Sequence, residues 1–413
     1  MTTPFKAVPV GDRIYWVGAI DWSIREFHGY RTRRGTTYNA YLVRGDKTVL
    51  VDTVKAGFED EMMSRIASIC DPSEIDLIVS NHAEMDHSGA LPKILDRIRP
   101  ERILASPMGV KALQAHFGDL GVEAVKDGAS LQVGSASAPL TLQFLETRFL
   151  HWPDSMFTFV PEQGFLFSQD AFGMHLADLA RFAAQMPEPV LEEEAAKYFA
   201  NILMPFSPMI LKLLERVAEL GLDLRTVAPD HGPIWREDFP WILERYGRWS
   251  RQELKRKAVV LFDSMWDSTD AMARALAEGL HATGTEVKVM PLSGSHRSDL
   301  ATELLDAAAI LVGSPTLNNQ AFPTVVESLS YLKGLKPRGR IGAAFGSFGW
   351  SGESVRQVED ALKDMGVEVL GQARSQYVPG MDQLEACVQL GVKVGTHLAA
   401  QFEPLEEEAL VEV

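Results

Sequence analysis

The first half of the chain consists of short apolar runs, rich in β-branched residues and bounded by Gly, Pro and Asp. Such runs are typical of strands, whereas residues 57–70 have the spacing of a helix. The predicted strands are 12–20, 38–53 with a turn at 45–46, 72–79, 102–105, 140–150, 165–168 and 226–229. The first half is therefore expected to be built on β-sheets.

The second half has a different pattern, in which buried strands alternate with helices. Residues 234–257 favour a helix and become basic and polar toward residue 257. We therefore place the domain boundary near the end of this segment. The predicted domains are 1–250 and 255–405. Strands are predicted at 258–262, 287–290, 309–312 and 341–345, with helices after 269 and over 354–365. Strand–helix alternation predicts a parallel sheet covered by helices.

Composition narrows the possible functions. The chain has 413 residues and a net charge of −16, which argues against nucleic acid or an anionic membrane as a partner. No apolar run is long enough to span a bilayer, and the N-terminus does not resemble a signal peptide. The two cysteines, Cys70 and Cys387, are far apart in sequence, as expected for free thiols in the cytoplasm. The acidic tail over 403–413 is expected to be a solvated end.

The densest chemistry follows the predicted strand that ends at Val79. His82, Glu84, Asp86 and His87 lie within six residues of one another. Imidazoles and carboxylates at this spacing predict a site for one or two transition metals. The alternative is an ordinary solvated loop, which two imidazoles beside two acids at such density do not favour.

Other ligand-type residues lie at the ends of later strands. His151, Asp170 and His231 each follow an apolar run, and His175 lies slightly beyond Asp170. One histidine at a strand end is usually structural. Histidine and acidic residues that follow four different strands, by contrast, predict one shared site.

Three polar loops in the second half predict a second site. Residues 263–269 combine a strand end, hydroxyl side chains and a helix start, an arrangement that binds phosphate. No Gly-x-Gly-x-x-Gly motif follows any strand, so a monophosphate ester is expected and a dinucleotide is not. The loops 314–319 and 347–352 follow two further strands of the same sheet and are expected to converge on this ligand.

These motifs resemble the flavodiiron proteins, also called A-type flavoproteins. The order His-x-Glu-x-Asp-His, His, Asp, His is similar to their metal domain, and the three polar loops resemble a flavodoxin domain that binds FMN. The resemblance implies an N-terminal metallo-β-lactamase-like αββα sandwich and a C-terminal flavodoxin-like, doubly wound parallel sheet. It covers nearly the whole chain.

The resemblance also implies the site residues. One iron is expected to be bound by His82, Glu84 and His151, and the other by Asp86 and His231, with Asp170 as the bridge. His87 is a further candidate, because family members differ in whether this imidazole reaches the metal, and His175 is expected to lie in the pocket wall. No catalytic residue is expected beyond the metal site.

The FMN residues implied are Ser264, Met265, Trp266, Ser268 and Thr269 at the phosphate, and Ser314, Pro315, Thr316, Leu317, Asn318, Asn319, Ser347, Phe348, Gly349, Trp350, Ser351 and Gly352 around the ring system. Trp350 is the candidate for packing against the isoalloxazine.

The implied activity is an oxidoreductase that passes electrons from a rubredoxin-type donor through FMN to two iron ions and reduces O2 to water. Reduction of NO to N2O on the same site is the first alternative. A zinc hydrolase with a flavodoxin docking module is the second, although the hydrolases of the superfamily have His where this chain has Glu84. The resemblance further implies a head-to-tail homodimer, or a dimer of such dimers.

Overall fold

A computed structural model describes residues 4–402, and the chain divides between Arg251 and Gln252 into two compact units. The strands of the first unit are β1 (Val8–Gly11), β2 (Ile14–Trp16), β3 (Ala19–Asp21), β4 (Glu26–Phe27), β5 (Tyr30–Arg31), β6 (Thr36–Tyr38), β7 (Tyr41–Arg44), β8 (Thr48–Val51), β9 (Ile75–Ser80), β10 (Arg102–Ala105), β11 (Val122–Ala124), β12 (Ser130–Gln132), β13 (Thr141–Glu146), β14 (Met156–Val160), β15 (Phe165–Gln169) and β16 (Thr226–Pro229). Its helices are α1 (Glu59–Ile66), α2 (Met85–Ser88), α3 (Leu91–Ile98), α4 (Pro107–Phe117), α5 (Glu188–Tyr198), α6 (Ser207–Glu219) and α7 (Phe239–Arg251). The acidic tail over 403–413 lies outside the described residues.

Two sheets form the inner layers of the first unit. Their strand orders are β1-β2-β7-β8-β9-β10-β11 and β12-β13-β14-β15-β16. Because successive residues of a strand point to opposite faces, β8 contributes to two cores. Val49 and Val51 pack with Phe144 between the sheets, whereas Leu50 packs with Ile94 of α3 on the outer face. The result is the αββα sandwich expected from the sequence.

Some predicted boundaries in this unit are wrong. The strand predicted over 140–150 ends at Glu146, and β14 was not predicted. The intervening residues form a loop, in which the Thr147 N–H donates to the Ser155 carbonyl (2.9 Å) and the Phe149 N–H donates to the Trp152 carbonyl (2.8 Å). His151 therefore lies in a loop between two strands and not at a strand end. The helix predicted over 57–70 is α-helical only in α1.

The second unit contains β17 (Lys255–Phe262), β18 (Glu286–Pro291), β19 (Ala307–Gly313), β20 (Thr316–Leu317), β21 (Gln320–Ala321), β22 (Ile341–Phe348) and β23 (Glu368–Gln376). Its helices are α8 (Ser268–Ala282), α9 (Arg297–Leu304), α10 (Pro323–Gly334), α11 (Glu353–Asp364) and α12 (Met381–Phe402). Residues 255–257, predicted to continue the preceding helix, belong to β17. Among residues 4–402, no helix combines the length and the apolar character needed to cross a membrane.

The main sheet of the second unit has the order β18-β17-β19-β22-β23, and every neighbouring pair is parallel. This is the doubly wound, flavodoxin-like order that the sequence predicted. Phe262 pairs with Gly313, and Gly313 pairs with Phe345, so three strands end at one edge of the sheet. The loops that follow them are therefore neighbours.

Candidate metal centre and ligand pocket

The loop after β9 is anchored to the sheet by Asn81. Its backbone N–H donates to Asp52 Oδ1 (2.7 Å), its side-chain Nδ2 donates to Asp52 Oδ2 (2.8 Å), and its side-chain Oδ1 accepts from the Thr158 hydroxyl (2.7 Å). The Ser88 hydroxyl donates to the Ala83 carbonyl (2.8 Å) and closes the single turn of α2. The loop therefore leaves the sheet in one defined direction.

Four side chains from three loops form a cluster that we call the first ligand group: His82, Glu84, His151 and Asp170. The Nε2 atoms of His82 and His151 both lie 3.3 Å from Glu84 Oε2. The same two atoms lie 3.3 Å and 3.1 Å from Asp170 Oδ2. Two imidazoles and two carboxylates thus face one point.

A second cluster, the second ligand group, comprises Asp86, His87 and His231. His231 Nε2 lies 3.1 Å from Asp86 Oδ2, and His87 Nε2 lies 3.4 Å from Asp86 Oδ1. Asp170 faces this group as well, because its Oδ1 lies 3.3 Å from His87 Nε2 and 3.6 Å from His231 Nε2. One carboxylate therefore presents one oxygen to each group.

The imidazoles of the two groups are oriented by contacts on their other ring nitrogen. His82 Nδ1 lies 3.1 Å from Asp154 Oδ2, and His231 Nδ1 lies 2.6 Å from the Thr37 carbonyl. His87 Nδ1 lies 3.6 Å from Asp230 Oδ2. The contacts of His82 and His231 fix these rings and direct Nε2 to the cluster, as in proteins that bind metal through histidine, whereas the His87 contact is longer than a hydrogen bond.

The electrostatics of the cluster favour a cation. Burial alone would raise the pKa of the Asp170 carboxyl, but His87, His151 and His82 hold it well below its usual range. Burial lowers the pKa of His87, yet the charges of Asp86 and neighbouring carboxylates raise it to about 10. The carboxylates are thus ionised in a buried site, where they require positive charge close by.

The second unit has a cavity of about 390 Å³ at the edge where three strands end. It is lined by Met265, Trp266, Ser268, Pro315, Thr316, Leu317, Asn318, Asn319, Ser347, Phe348, Gly349, Trp350, Ser351 and Tyr377. The side chains of Trp266 and Trp350 are 87% and 86% exposed, so both indoles are available to a ligand.

Four residues of the predicted ligand set do not line the cavity but lie directly behind it. The Thr269 and Ser347 hydroxyls lie 2.9 Å apart, and the Ser314 hydroxyl accepts from the Phe322 N–H (2.8 Å). The carbonyl of Gly352 accepts from Arg374 (3.0 Å). The fourth residue, Ser264, has a buried hydroxyl with no hydrogen-bond partner among the described residues.

Comparison with known proteins places this geometry in a family. A model described as ODP family beta lactamase matches residues 36–232, and a flavodoxin model matches residues 260–391. A nitric oxide reductase of Moorella thermoacetica is 46% identical over 400 residues, which are 95% of this chain and 99% of the relative.

Two solved structures are similar over nearly their whole length. Rubredoxin oxygen:oxidoreductase from Desulfovibrio gigas has a TM-score of 0.94 and 41% identity, and the match covers 97% of this chain and 100% of that chain. The flavodiiron protein from Giardia intestinalis has a TM-score of 0.91 and 33% identity, with 96% and 97% covered.

The chain belongs to the flavodiiron proteins. The resemblance stated from the sequence is confirmed. The run Gly-Ser-Phe-Gly-Trp-Ser-Gly-Glu-Ser at 346–354 further indicates a resemblance to rubredoxin:oxygen oxidoreductase, and the similarity to that enzyme over most of the chain confirms it. The relatives are named as oxygen and nitric oxide reductases, and so as oxidoreductases.

The structure adds residues to this flavodiiron site that sequence reasoning did not assign. Asp154 and Asp230 each contact a ligand-group imidazole, and His28 Nε2 lies 3.7 Å from Glu84 Oε1. The sequence could have indicated Asp154 and Asp230, because they lie close to His151 and His231 in the chain. No sequence signal existed for His28, which is on the β4–β5 hairpin. His175 lies outside both groups, with Nδ1 2.9 Å from the Thr36 hydroxyl oxygen.

Proposed function

We propose that this flavodiiron protein takes electrons through FMN to a diiron centre and reduces dioxygen to water. The observation that carries the proposal is the placement of Asp170, which presents one oxygen to each ligand group. A shared carboxylate holds two metals near enough to act on one small substrate. In this proposal, the ligands of the two irons are His82, Glu84, His151, Asp86, His87 and His231, with Asp170 as the bridge.

The ligand groups suit iron. They combine imidazole and carboxylate donors without a thiolate, a set compatible with iron. Asp86 Oδ1 and Oδ2, His87 Nε2 and Asp170 Oδ1 are buried and have no hydrogen-bond partner among the described residues. Buried polar atoms are rarely left without partners. Metal ions at the two groups would satisfy all of them, and this supports His87 as a ligand.

The cavity of the second unit suits FMN. Its edge adjoins the first turn of α8, whose free N–H groups and dipole favour a phosphate. Ser268 lines the cavity and offers a hydroxyl there, Ser264 and Thr269 belong to the same segment of the chain without lining the cavity, and Asp267 is exposed. The residues 314–319 and 347–352 then hold the flavin ring, with Trp350 packed against it.

When bound, reduced FMN and two ferrous ions together supply the four electrons that convert one O2 and four protons into two water molecules. The residues of the chain orient the metal-binding side chains and keep bulk water away from them. Asp154 and Thr37 orient the imidazoles of His82 and His231, and Asp170 fixes the separation of the two groups. His82 is fully buried and Asp170 is 1% exposed, so bulk water does not compete at these atoms.

Nitric oxide is the second candidate substrate, because a relative that is 46% identical is named nitric oxide reductase. Two NO, two electrons and two protons give N2O and water, so the same site has electrons enough. The zinc hydrolase alternative is not favoured, since the relatives are named reductases and Glu84 replaces the hydrolase histidine.

Flavin reoxidation separates the candidates. The anaerobically reduced protein is mixed with O2 or with NO and followed by flavin absorbance over repeated turnovers. Sustained oxidation by O2, with slower or self-limiting reaction with NO, identifies an oxygen reductase, and the reverse identifies a nitric oxide reductase. Indifference to both gases would refute the proposal.

Substitution of the bridge tests the site itself. Asp170→Ala removes one donor from each group, so we expect loss of iron and of gas reduction with FMN retained. Asp127→Ala, at an exposed ion pair with Arg216, is the control and should keep both. Full turnover by the Asp170 variant would contradict the assignment.

The proposed electron donor is a rubredoxin-type protein. A relative is named rubredoxin-oxygen oxidoreductase, and two cysteines are too few for a four-cysteine iron centre in this chain. Stopped-flow reduction of the FMN by reduced rubredoxin tests the donor. Flavin reduction no faster than with a small-molecule reductant would contradict it.

We also propose a head-to-tail homodimer or a dimer of such dimers. Trp266 and Trp350 are exposed beside the cavity of one unit, and Met85 and Phe149 are exposed next to ligand residues of the other. In a head-to-tail pair, the exposed tryptophans of one copy would pack against the exposed Met85 and Phe149 of the other copy. Light scattering tests the stoichiometry, and a fully active monomer would refute it.

We assign the metal chemistry to residues 1–250 and FMN binding to residues 255–405, in a cytoplasmic protein. Cys70 and Cys387 are buried free thiols, which supports a reducing compartment. Cell fractionation tests the location.

A further inference from the structure

The first unit contains a cavity of about 310 Å³ that the proposed function does not use. Its floor is formed by Phe157 and Leu166, which face away from the interior of the sandwich because their neighbours Met156 and Phe167 pack inside it. α6 and α7 cover this floor through residues such as Leu214.

Every side chain that lines the cavity is apolar. Apolar cavities take up apolar molecules such as xenon. A water molecule occupies about 30 Å³ in the liquid, so the space is large enough for several diatomic molecules. Because no polar side chain lines it, the cavity favours apolar ligands over charged ones.

The cavity opens at the surface and reaches the turn that follows Asp170. At its outer end, Leu243 is 37% exposed, whereas Phe172 at the inner end is 4% exposed. Phe172 lies two residues after Asp170, in a turn closed by the Gly173 N–H, which donates to the Asp170 carbonyl (3.1 Å). The inner wall of the cavity is therefore part of the turn that carries the proposed bridge.

Phe172 is held in a conformation that a non-glycine residue rarely adopts, with φ of 67°. Its N–H donates to the Tyr246 hydroxyl (2.7 Å), and its carbonyl accepts from Trp235 Nε1 (2.8 Å). Its ring packs against Phe239 at 5.1 Å between centroids. The surrounding residues thus fix this strained residue, whose ring forms part of the cavity wall.

We propose that this cavity binds the diatomic gas substrate and supplies it to the metal groups past the ring of Phe172. The inference rests on the proposed function, because it takes the substrate to be O2 or NO. Both molecules are small and nearly apolar, so they partition from water into an apolar cavity.

The test uses the holoenzyme and three substitutions near the end of α6. Val217→Trp and Ala218→Trp place an indole among residues that line the cavity. Leu220→Trp adds the same ring to a residue that is 48% exposed and does not line it. Crystals pressurised with xenon report binding, and thermal melting shows that each variant is folded.

We expect xenon in the cavity of the wild type and of Leu220→Trp, and none in the two filled variants. Filling the cavity should raise the KM for the gas several-fold and leave kcat at saturating gas unchanged, since no metal ligand is altered. The second filled variant keeps the test decisive if the first does not fold.

Absence of xenon from the wild-type cavity would overturn the inference. So would an unchanged KM for the gas in filled variants that exclude xenon, because the cavity would then be a packing void. If the wild type reduces neither gas, the proposed function fails, and the xenon result alone decides whether the cavity binds apolar gas.

Discussion

At the scale of single residues, the hydrogen-bond contacts of Nδ1 in His82 and His231 orient the ring and so direct Nε2 to the cluster. The carboxylate of Asp154 accepts from the Ala83 N–H (2.6 Å) and lies 3.1 Å from His82 Nδ1. It therefore fixes both the ring and the backbone of the loop that carries it. Burial would raise the pKa of the Asp154 carboxyl, but His82 lowers it, so this residue is a charged partner.

Asp154→Asn should weaken metal binding while the fold is kept. The asparagine side chain keeps the shape of the aspartate but removes its charge. Loss of a residue that orients a metal-binding histidine typically lowers the metal affinity about 10- to 100-fold. Chelator competition measures the affinity, with Asp178→Asn as a control that touches neither ligand group. Equal affinity in the variant and the wild type would show that Asp154 serves the backbone alone.

A second residue-scale prediction concerns acid stability in the flavodoxin unit. Asp306 lies 2.7 Å from Lys255 Nζ and 2.9 Å from Lys257 Nζ. Burial raises the pKa of its carboxyl, but the two lysines lower it below the usual 3.8. The charged form is thus favoured by folding, and its contribution is present above about pH 4 and lost as the pH falls through the lowered pKa.

Asp306→Asn should therefore reduce the free energy of unfolding at pH 7 by roughly 1 to 3 kcal/mol. The difference from the wild type should shrink as the pH falls below 4, because the wild-type carboxyl becomes protonated as well. Urea unfolding between pH 3 and 7 measures it. A difference that does not change with pH would contradict the ion-pair explanation.

At the scale of elements, α8 and α12 pack at close range through glycine. A Cβ atom on Gly391 would lie 2.2 Å from the Leu276 carbonyl oxygen, and one on Gly279 would lie 2.1 Å from the Val388 carbonyl oxygen. Both contacts are with backbone, which cannot rotate away as a side chain does. These glycines therefore set the distance between two helices that cover one face of the sheet.

Gly391→Ala should destabilise the second unit by about 1 to 3 kcal/mol, because the helices must separate to admit a methyl group. Gly334→Ala is the matched control: apart from its chain neighbours and its own helix, no atom of residues 4–402 lies within 4 Å of the added Cβ, and the change should be neutral or stabilise by up to about 1 kcal/mol. Urea unfolding followed by circular dichroism compares them. Equal stability of both variants would refute the close packing.

At the scale of the whole molecule, the two sites belong to units with separate hydrophobic cores. Phe144 and Val49 belong to a core of the first unit, whereas Leu276 and Phe345 belong to the core of the second. The polar groups at each site also come from one unit alone. Loss of one cofactor should therefore leave the other in place.

Removal of iron by a ferrous chelator should abolish gas reduction and leave the flavin absorbance spectrum unchanged. The metal donors all lie within residues 82–231, whereas the FMN cavity is lined by residues 265–377. Readdition of ferrous iron should restore turnover, and readdition of zinc should not. Release of FMN together with the metal would show that the sites depend on each other.

The hydrophobic pattern of the sequence determined that the first half is built on β-sheets and the second on a parallel sheet, because periodicity reports which residues must be buried and strand–helix alternation favours parallel strands. The αββα sandwich of the first unit was implied by the family resemblance of the motifs. The sequence also identified His82, Glu84 and Asp86, since donors close in sequence on a short loop are close in space. It missed the end of β13, where apolar side chains at Phe149 and Leu150 continue the pattern into a loop.

Only the tertiary structure decided how distant residues meet. It showed that Asp170 faces both ligand groups and that Asp154 reaches His82, residues separated by 72 positions. The physical reason is that periodicity encodes burial of one segment at a time, whereas side-chain contacts depend on which strand ends share an edge. The apolar cavity behind Phe172 is invisible in sequence for the same reason, because a void is a property of packing.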